Sequence, residues 1–239
     1  MEKLQAKEQE LQAILWMVCN CFMAASVLAT IKYALPNLSQ TILIASYHIV
    51  ATIITGFYSI YSKNNIKTSF IFWHFLRSAM NAVAYFLYFY ALSITSMANV
   101  IALGYTDGIL TCLFSYLILK ESLTKTQIVN LALSFFGATL IISPDANIVN
   151  IGGILAAISA VLWALANIIT KKLCKTDSPT TQLFYSNFFT FLIAALASIY
   201  DGSIIEIKDT SNYPWFILLG FMSSLQFFAL FKSLGMTET

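Results

Sequence analysis

Arg77, Asp107 and His48 are ionisable side chains set inside long apolar stretches of this sequence. A charge at such depth is expensive, so each marks a place for charge pairing, proton transfer or ligand contact. Arg77, Asn81, Tyr85 and Tyr88 recur at three- and four-residue spacing, which puts them on one face of a helix. A guanidinium, an amide and two phenols on one face suit an organic ligand with a charged or ring portion. They suit interhelical hydrogen bonding equally. His48 could relay protons or hydrogen-bond a neighbouring helix. Asn20, Ser26, Trp163, Asn167, Asn187 and Gln226 could line the same cavity, and each also reads as packing glue between helices.

The chemistry these residues do not offer is informative. Catalysis needs several matched groups at one place, but Asp107 is the acid set deep in an apolar stretch, and His48 has no acidic partner on its own stretch. No catalytic residue is therefore expected. Cys19 and Cys21 are two apart and would not face each other on a helix; Cys112 and Cys174 lie elsewhere. No metal-ligand spacing appears, and no Gly-rich Lys-Ser/Thr loop for nucleotide phosphates. Neither metal nor cofactor is expected.

The elements that must hold these groups are membrane helices. Of 239 residues, 59% are hydrophobic and 10% charged, with a mean hydropathy of +0.76. A soluble domain carries about 25% charged residues to cover its surface. The natural partner is a lipid bilayer, and a net charge of +2 gives no support for nucleic acid. Residues 1–12 are polar and the apolar stretch behind them is too long for a signal peptide. About eight stretches of spanning length follow, near 13–35, 41–61, 70–92, 97–119, 127–142, 153–170, 181–200 and 215–234. Pro36, Pro144, Pro179 and Pro214 all fall in or beside the polar breaks, where a missing N–H does least harm.

Lysines give an orientation. Lys3 and Lys7 precede the first stretch, Lys63 and Lys67 follow the second, Lys120 and Lys125 the fourth, and Lys171, Lys172 and Lys175 the sixth. The alternate breaks hold only Lys208, beside Asp201, Glu206 and Asp209. The positive-inside rule then places the N-terminus in the cytoplasm, of a cell membrane that is expected to be a bacterial inner membrane. Counting 1.5 Å per residue, Arg77 lies about 10 Å and Asp107 roughly 18 Å from the cytoplasmic end of its stretch. An Arg77–Asp107 ion pair between adjacent antiparallel helices is the expectation. It reads either as a register-fixing pair or as a substrate clamp.

The sequence also aligns with itself. Ala29-Thr30-Ile31-Lys32 matches Ile168-Ile169-Thr170-Lys171, and Ser59-Ile60-Tyr61 matches Ser198-Ile199-Tyr200 at the same offset. That register sets His48 opposite Asn187. Trp73, Phe89 and Leu92 fall on Trp215, Phe231 and Leu234. Five stretches separate the copies, so the second enters from the opposite side, the inverted repeat of many secondary transporters. The expected halves are 13–142, with five helices, and 153–239, with three. The first copy's pattern leads to the expectation of two further helices, about 50 residues, after the eighth. A second copy of the chain, as a homodimer, would supply them.

Residue by residue, the sequence resembles the EamA-type drug/metabolite transporter superfamily from the first stretch onward. Tyr90-Ala91-Leu92-Ser93-Ile94-Thr95-Ser96-Met97-Ala98-Asn99 resembles the end of that family's third helix. Leu119-Lys120-Glu121-Ser122-Leu123-Thr124-Lys125-Thr126-Gln127 and Phe136-Gly137-Ala138 are similar to its glutamate-containing loop and fifth helix. Lys32 and Lys171 match its basic helix ends. The resemblance implies an all-α integral membrane fold of ten helices in a 5+5 inverted repeat. It implies a secondary transporter of small organic metabolites, such as amino acids, cofactors like S-adenosylmethionine, or drug-like solutes, working by alternating access. A non-functional shortened remnant and a membrane-embedded enzyme are the alternatives. Where the family usually has proline near Gly108, this chain has Gly104-Tyr105-Thr106-Asp107-Gly108. A local distortion is still expected there, since glycine weakens a helix.

Overall fold

The computed structural model describes residues 2–35, 37–63, 66–141 and 151–236. Among them all regular structure is helical. The helices are α1 (Glu2–Ala34), α2 (Gln40–Tyr61), α3 (Ile71–Ile94), α4 (Met97–Gly104), α5 (Thr106–Phe114), α6 (Lys125–Ile141), α7 (Ile151–Cys174), α8 (Pro179–Tyr200) and α9 (Tyr213–Met236). A bilayer offers no water to backbone groups, so a spanning chain satisfies them within helices.

Among the described residues six segments are both long and apolar enough to cross a membrane: Glu8–Ala34, Gln40–Tyr61, Met97–Leu119, Ile151–Cys174, Pro179–Tyr200 and Thr210–Met236. Two of the eight expected spans lie outside this set. In α3 the side chains of His74, Arg77 and Asn81 lower the apolar character, and α6 is 17 residues long. The end of the expected fifth span, at residue 142, falls outside the described residues. Helix α1 begins well before the apolar pattern does, because Glu, Lys, Gln, Leu and Ala are all good helix formers.

Local sequence explains several helix ends. Ser178 caps α8, its hydroxyl accepting from the Thr181 N–H at 3.2 Å, with Pro179 at the first helical position; such a proline gives up an N–H that has no helical partner. Thr124 and Gln127 form a reciprocal cap at the start of α6. The Thr124 N–H donates to Gln127 Oε1 at 2.8 Å, and the Gln127 N–H to Thr124 Oγ1 at 3.3 Å. The expected distortion in the fourth stretch is present. Tyr105 separates α4 from α5 (φ −64°, ψ −10°), and α5 runs into a widened π turn over Ser115–Leu119.

The chain divides into two compact units, the described parts of Met1–Ser78 with Thr170–Thr239, and Ala79–Ile169. The boundaries fall within α3 and α7. In the first unit α2 packs against α8 and α9, and α1 against α9. Gly220 permits the α2–α9 approach: a Cβ there would lie 2.5 Å from Val50 Cγ1 and 3.0 Å from the Tyr47 carbonyl oxygen. Ser233 on α9 donates to the Ala13 carbonyl on α1 at 2.8 Å. Lys232 lies 4.6 Å from the Trp16 ring, a cation–π contact. The second unit has the rest of α3, α4–α6 and the first part of α7. Ala82, Ala84 and Ala91 on α3, and Ala156, Ala160 and Ala164 on α7, are fully buried. Small residues of this kind let membrane helices approach closely.

Candidate functional site

The second unit gathers an aromatic group. Tyr85 and Tyr88 are three apart on α3 and share a face. Both meet Trp163 of α7, with ring centroids 5.6 Å and 5.0 Å away. Tyr85 also stacks on Phe89 at 6.1 Å. One turn beyond Trp163, Asn167 donates its Nδ2 to Thr111 Oγ1 on α5 at 3.3 Å. The broken helix closes against the group at Gly104, where a Cβ would lie 2.9 Å from Tyr88 Cε2.

Asp107 belongs to the same neighbourhood. Gly104, Asp107 and Thr111 follow one another at three- and four-residue spacing. Thr111, four residues along α5 from Asp107, accepts from Asn167, so Asp107 lies one turn from that contact. It is half-buried in the first turn of α5, where the helix dipole favours a negative charge. The break at Tyr105 is what gives this acid a helix N-terminus at mid-span. Chemically, the set offers aromatic faces for a flat ring, an amide and a hydroxyl for its edge, and a carboxylate for a positive charge.

The first unit holds a separate polar cluster where α3 begins, α7 ends and α8 begins. Arg77 is fully buried. Its Nη2 donates to the Gln182 carbonyl at 2.8 Å, and its Nη1 to Gln182 Oε1 at 3.1 Å and Thr170 Oγ1 at 3.4 Å. The guanidinium lies 4.9 Å from the Phe231 ring centroid. Within its own unit Arg77 is thus held by neutral oxygens, and Asp107, its expected partner, belongs to the other unit. Among the described residues the ion pair is His74–Asp177, at 2.7 Å. Arg77 also parts company with Tyr85 and Tyr88, because α3 passes from one unit into the other between them.

Of the remaining expected residues, His48 and Asn187 come together: His48 Nδ1 and Asn187 Oδ1 are 2.9 Å apart, both side chains buried. Asn81 is half-buried on α3, and Gln226 half-buried on α9; neither joins the contacts above. Sequence reading missed His74, Asp177, Gln182 and Thr170. His74 had a signal, since it stands three residues before Arg77 and so shares its face. Gln182 and Asp177 had none, because polar residues at a helix start are ordinary.

A chain whose described residues fold only into helices, six segments of them fit to span a bilayer, is a multi-pass membrane protein, embedded in lipid. The chain belongs to the EamA-like transporter family, whose sequence pattern matches residues 11–143 and 150–239; it is a transporter rather than an enzyme. It is 25% identical over 244 residues to a riboflavin transporter of Vibrio cholerae, covering 98% of this chain and 80% of that one. A riboflavin transporter of Brucella anthropi is 28% identical over 163 residues, 67% of this chain and 57% of the relative. An S-adenosylmethionine uptake transporter of Rickettsia bellii is 25% identical over 188 residues, 74% of this chain and 60% of the relative. A solved crystal structure covers 96% of the chain and 80% of its own at a TM-score of 0.74 and 16% identity, and so shares its fold.

Proposed function

We propose that this protein is a secondary transporter for a small organic metabolite bearing a planar nitrogen heterocycle, held against Tyr85, Tyr88 and Trp163. The observation that carries the reading is the convergence of those three rings beside Asn167, Thr111 and Asp107. Rings give sequence-tolerant stacking surfaces to heterocycles, worth about 1–3 kcal/mol each in nucleic-acid systems. Riboflavin and S-adenosylmethionine, the solutes in the relatives' names, both carry such a ring. In this reading about eight helices span a bacterial inner membrane with the N-terminus in the cytoplasm. Stretches 13–142 and 153–239 are inverted repeats, and alternating access moves the solute. Asp107 would balance a positive charge on the solute.

The experiment is uptake by the purified protein in proteoliposomes, with labelled riboflavin and S-adenosylmethionine as probes. Saturable uptake of at least one is expected. Trp163→Ala should raise its half-saturation concentration by roughly five- to 150-fold, the equivalent of about 1–3 kcal/mol. Unchanged half-saturation in Trp163→Ala and Tyr88→Ala would overturn the assignment of the site.

A further inference from the structure

We propose that His74, paired with Asp177, is a proton-binding site. His74 is fully buried on α3, with Nε2 2.7 Å from Asp177 Oδ2. Asp177 lies in the connection between α7 and α8, and its side chain is 6% exposed. The same Oδ2 accepts from Thr68 Oγ1 at 2.6 Å. An ionised carboxylate only accepts, so the ring hydrogen sits on Nε2 and a neutral ring keeps its lone pair on Nδ1. Among the described residues that buried Nδ1 has no hydrogen-bond partner. It is the atom to which a proton would add.

The surroundings set what that proton does. Tyr185 of α8 covers the ring at a centroid distance of 5.0 Å. Cys174 of α7 accepts from Gln182 Nε2 at 3.3 Å. Arg77, one turn along α3, is held by Gln182 and Thr170. The charges acting on His74 are those of Arg77 and Asp177, one of each sign, and they balance while the ring is neutral. A proton delivered by a hydronium ion forms an N–H bond at Nδ1 as an O–H bond of the hydronium breaks and water leaves, and the cluster is left with one net positive charge. It also turns the Nε2–H···Oδ2 contact, charge-assisted on the carboxylate side alone, into an imidazolium–carboxylate ion pair with both partners charged. Proton occupancy therefore sets how firmly the α7–α8 connection is tied to the start of α3. Local charge changes of this kind bias larger conformational equilibria.

The test needs no transported solute, so its outcome is independent of the transport reading. The chain has two histidines, and protein labelled with [13Cε1]histidine in lipid nanodiscs gives two imidazole signals. His48→Gln leaves the His74 signal alone; if that variant does not fold, loss of one signal in His74→Gln makes the same assignment in the wild type. The His74 signal is expected to move with a single midpoint as the pH is varied. Asp177→Asn, which removes the charge facing the imidazolium, should lower the midpoint by about one to three units. A His74 signal that stays fixed from about pH 4.5 to about pH 9 overturns the proposal, as does an Asp177→Asn midpoint equal to that of the wild type.

Discussion

His48 on α2 and Asn187 on α8 meet at 2.9 Å, Nδ1 to Oδ1, in a fully buried position. They occupy the same place in the two self-similar stretches of the sequence. Interhelical hydrogen bonds in membrane proteins average about 0.6 kcal/mol and reach about 1.7. Losing one partner also strands the other, so His48→Leu alone should lower stability by about 1–3 kcal/mol. The double variant with Asn187→Leu should fall short of the summed single losses by about 0.6–1.7 kcal/mol. Denaturation in detergent measures both, and strictly additive losses would show that the pair does not interact.

At Gly104 an added methyl meets the edge of the Tyr88 ring, at 2.9 Å from Cε2. A ring edge can swing aside, so Gly104→Ala should fold and keep its melting temperature within a few degrees, a change of less than about 1 kcal/mol. What it should disturb is the Tyr88–Trp163 contact, seen as a change in tryptophan fluorescence and weaker solute binding. Gly108→Ala, with nothing within 4 Å of the new atom, is the control. Equal behaviour of the two variants would separate Gly104 from the aromatic group.

Gly220 presents the opposite case. The new Cβ would lie 2.5 Å from Val50 Cγ1, 2.6 Å from Val50 Cβ and 3.0 Å from a backbone oxygen. Backbone and a β-branched side chain cannot swing away, so α2 and α9 must separate. Overpacking of this sort costs about 1–3 kcal/mol. Thermal unfolding of Gly220→Ala should show that loss, while Val50→Ala in the same protein recovers part of it. Wild-type stability in Gly220→Ala would mean that α2 and α9 do not pack this closely.

Arg77 depends on Gln182 for two of its three hydrogen bonds, one to the side chain and one to the backbone. Hydrogen bonds to charged groups are worth about 1.5–3 kcal/mol. Gln182→Ala removes the side-chain acceptor and should lower stability by about that amount. Arg77→Lys should be similarly harmful, since an ammonium lacks the planar fork that spans both oxygens. A detergent denaturation series checks both, and a silent Gln182→Ala would contradict the clamp.

Asp201, at the C-terminal end of α8, accepts from Thr41 Oγ1 on α2 at 2.7 Å and from the Ser203 N–H at 2.9 Å. Its slight burial pushes the carboxyl up, but the hydrogen bonds from Thr41 and Ser203 outweigh this and hold it below the ordinary carboxylate range. A lowered folded-state value means that the unfolded chain takes up the proton first. The stability Asp201 contributes is therefore complete above the ordinary value of about 3.9 and is lost as pH falls through the lowered one. Melting temperature against pH should fall more steeply below about pH 4 for the wild type than for Asp201→Asn. Parallel curves would leave Asp201 without this role.

The membrane character was legible from composition, because a chain with 10% charged residues cannot cover itself in water. The break in the fourth stretch was legible because Gly104 and Gly108 bracket it, and the His48–Asn187 match because the sequence repeats there. Tyr85 and Tyr88 were readable as one face because helical spacing is local. Which partner each polar group takes was not readable, since that depends on how helices far apart in sequence pack. Counting neighbours along the chain offered Arg77 only Asp107, and packing of the start of α3 against the end of α7 and the start of α8 gives it Gln182 and Thr170. Asp177 and Gln182 read as ordinary residues at a helix start, and only the approach of α3 makes one the partner of a buried imidazole and the other of a buried guanidinium. Sequence sets which groups need partners in an apolar medium; the tertiary structure decides which ones they get, because hydrogen bonds form over about 3 Å between helices that the chain does not order side by side.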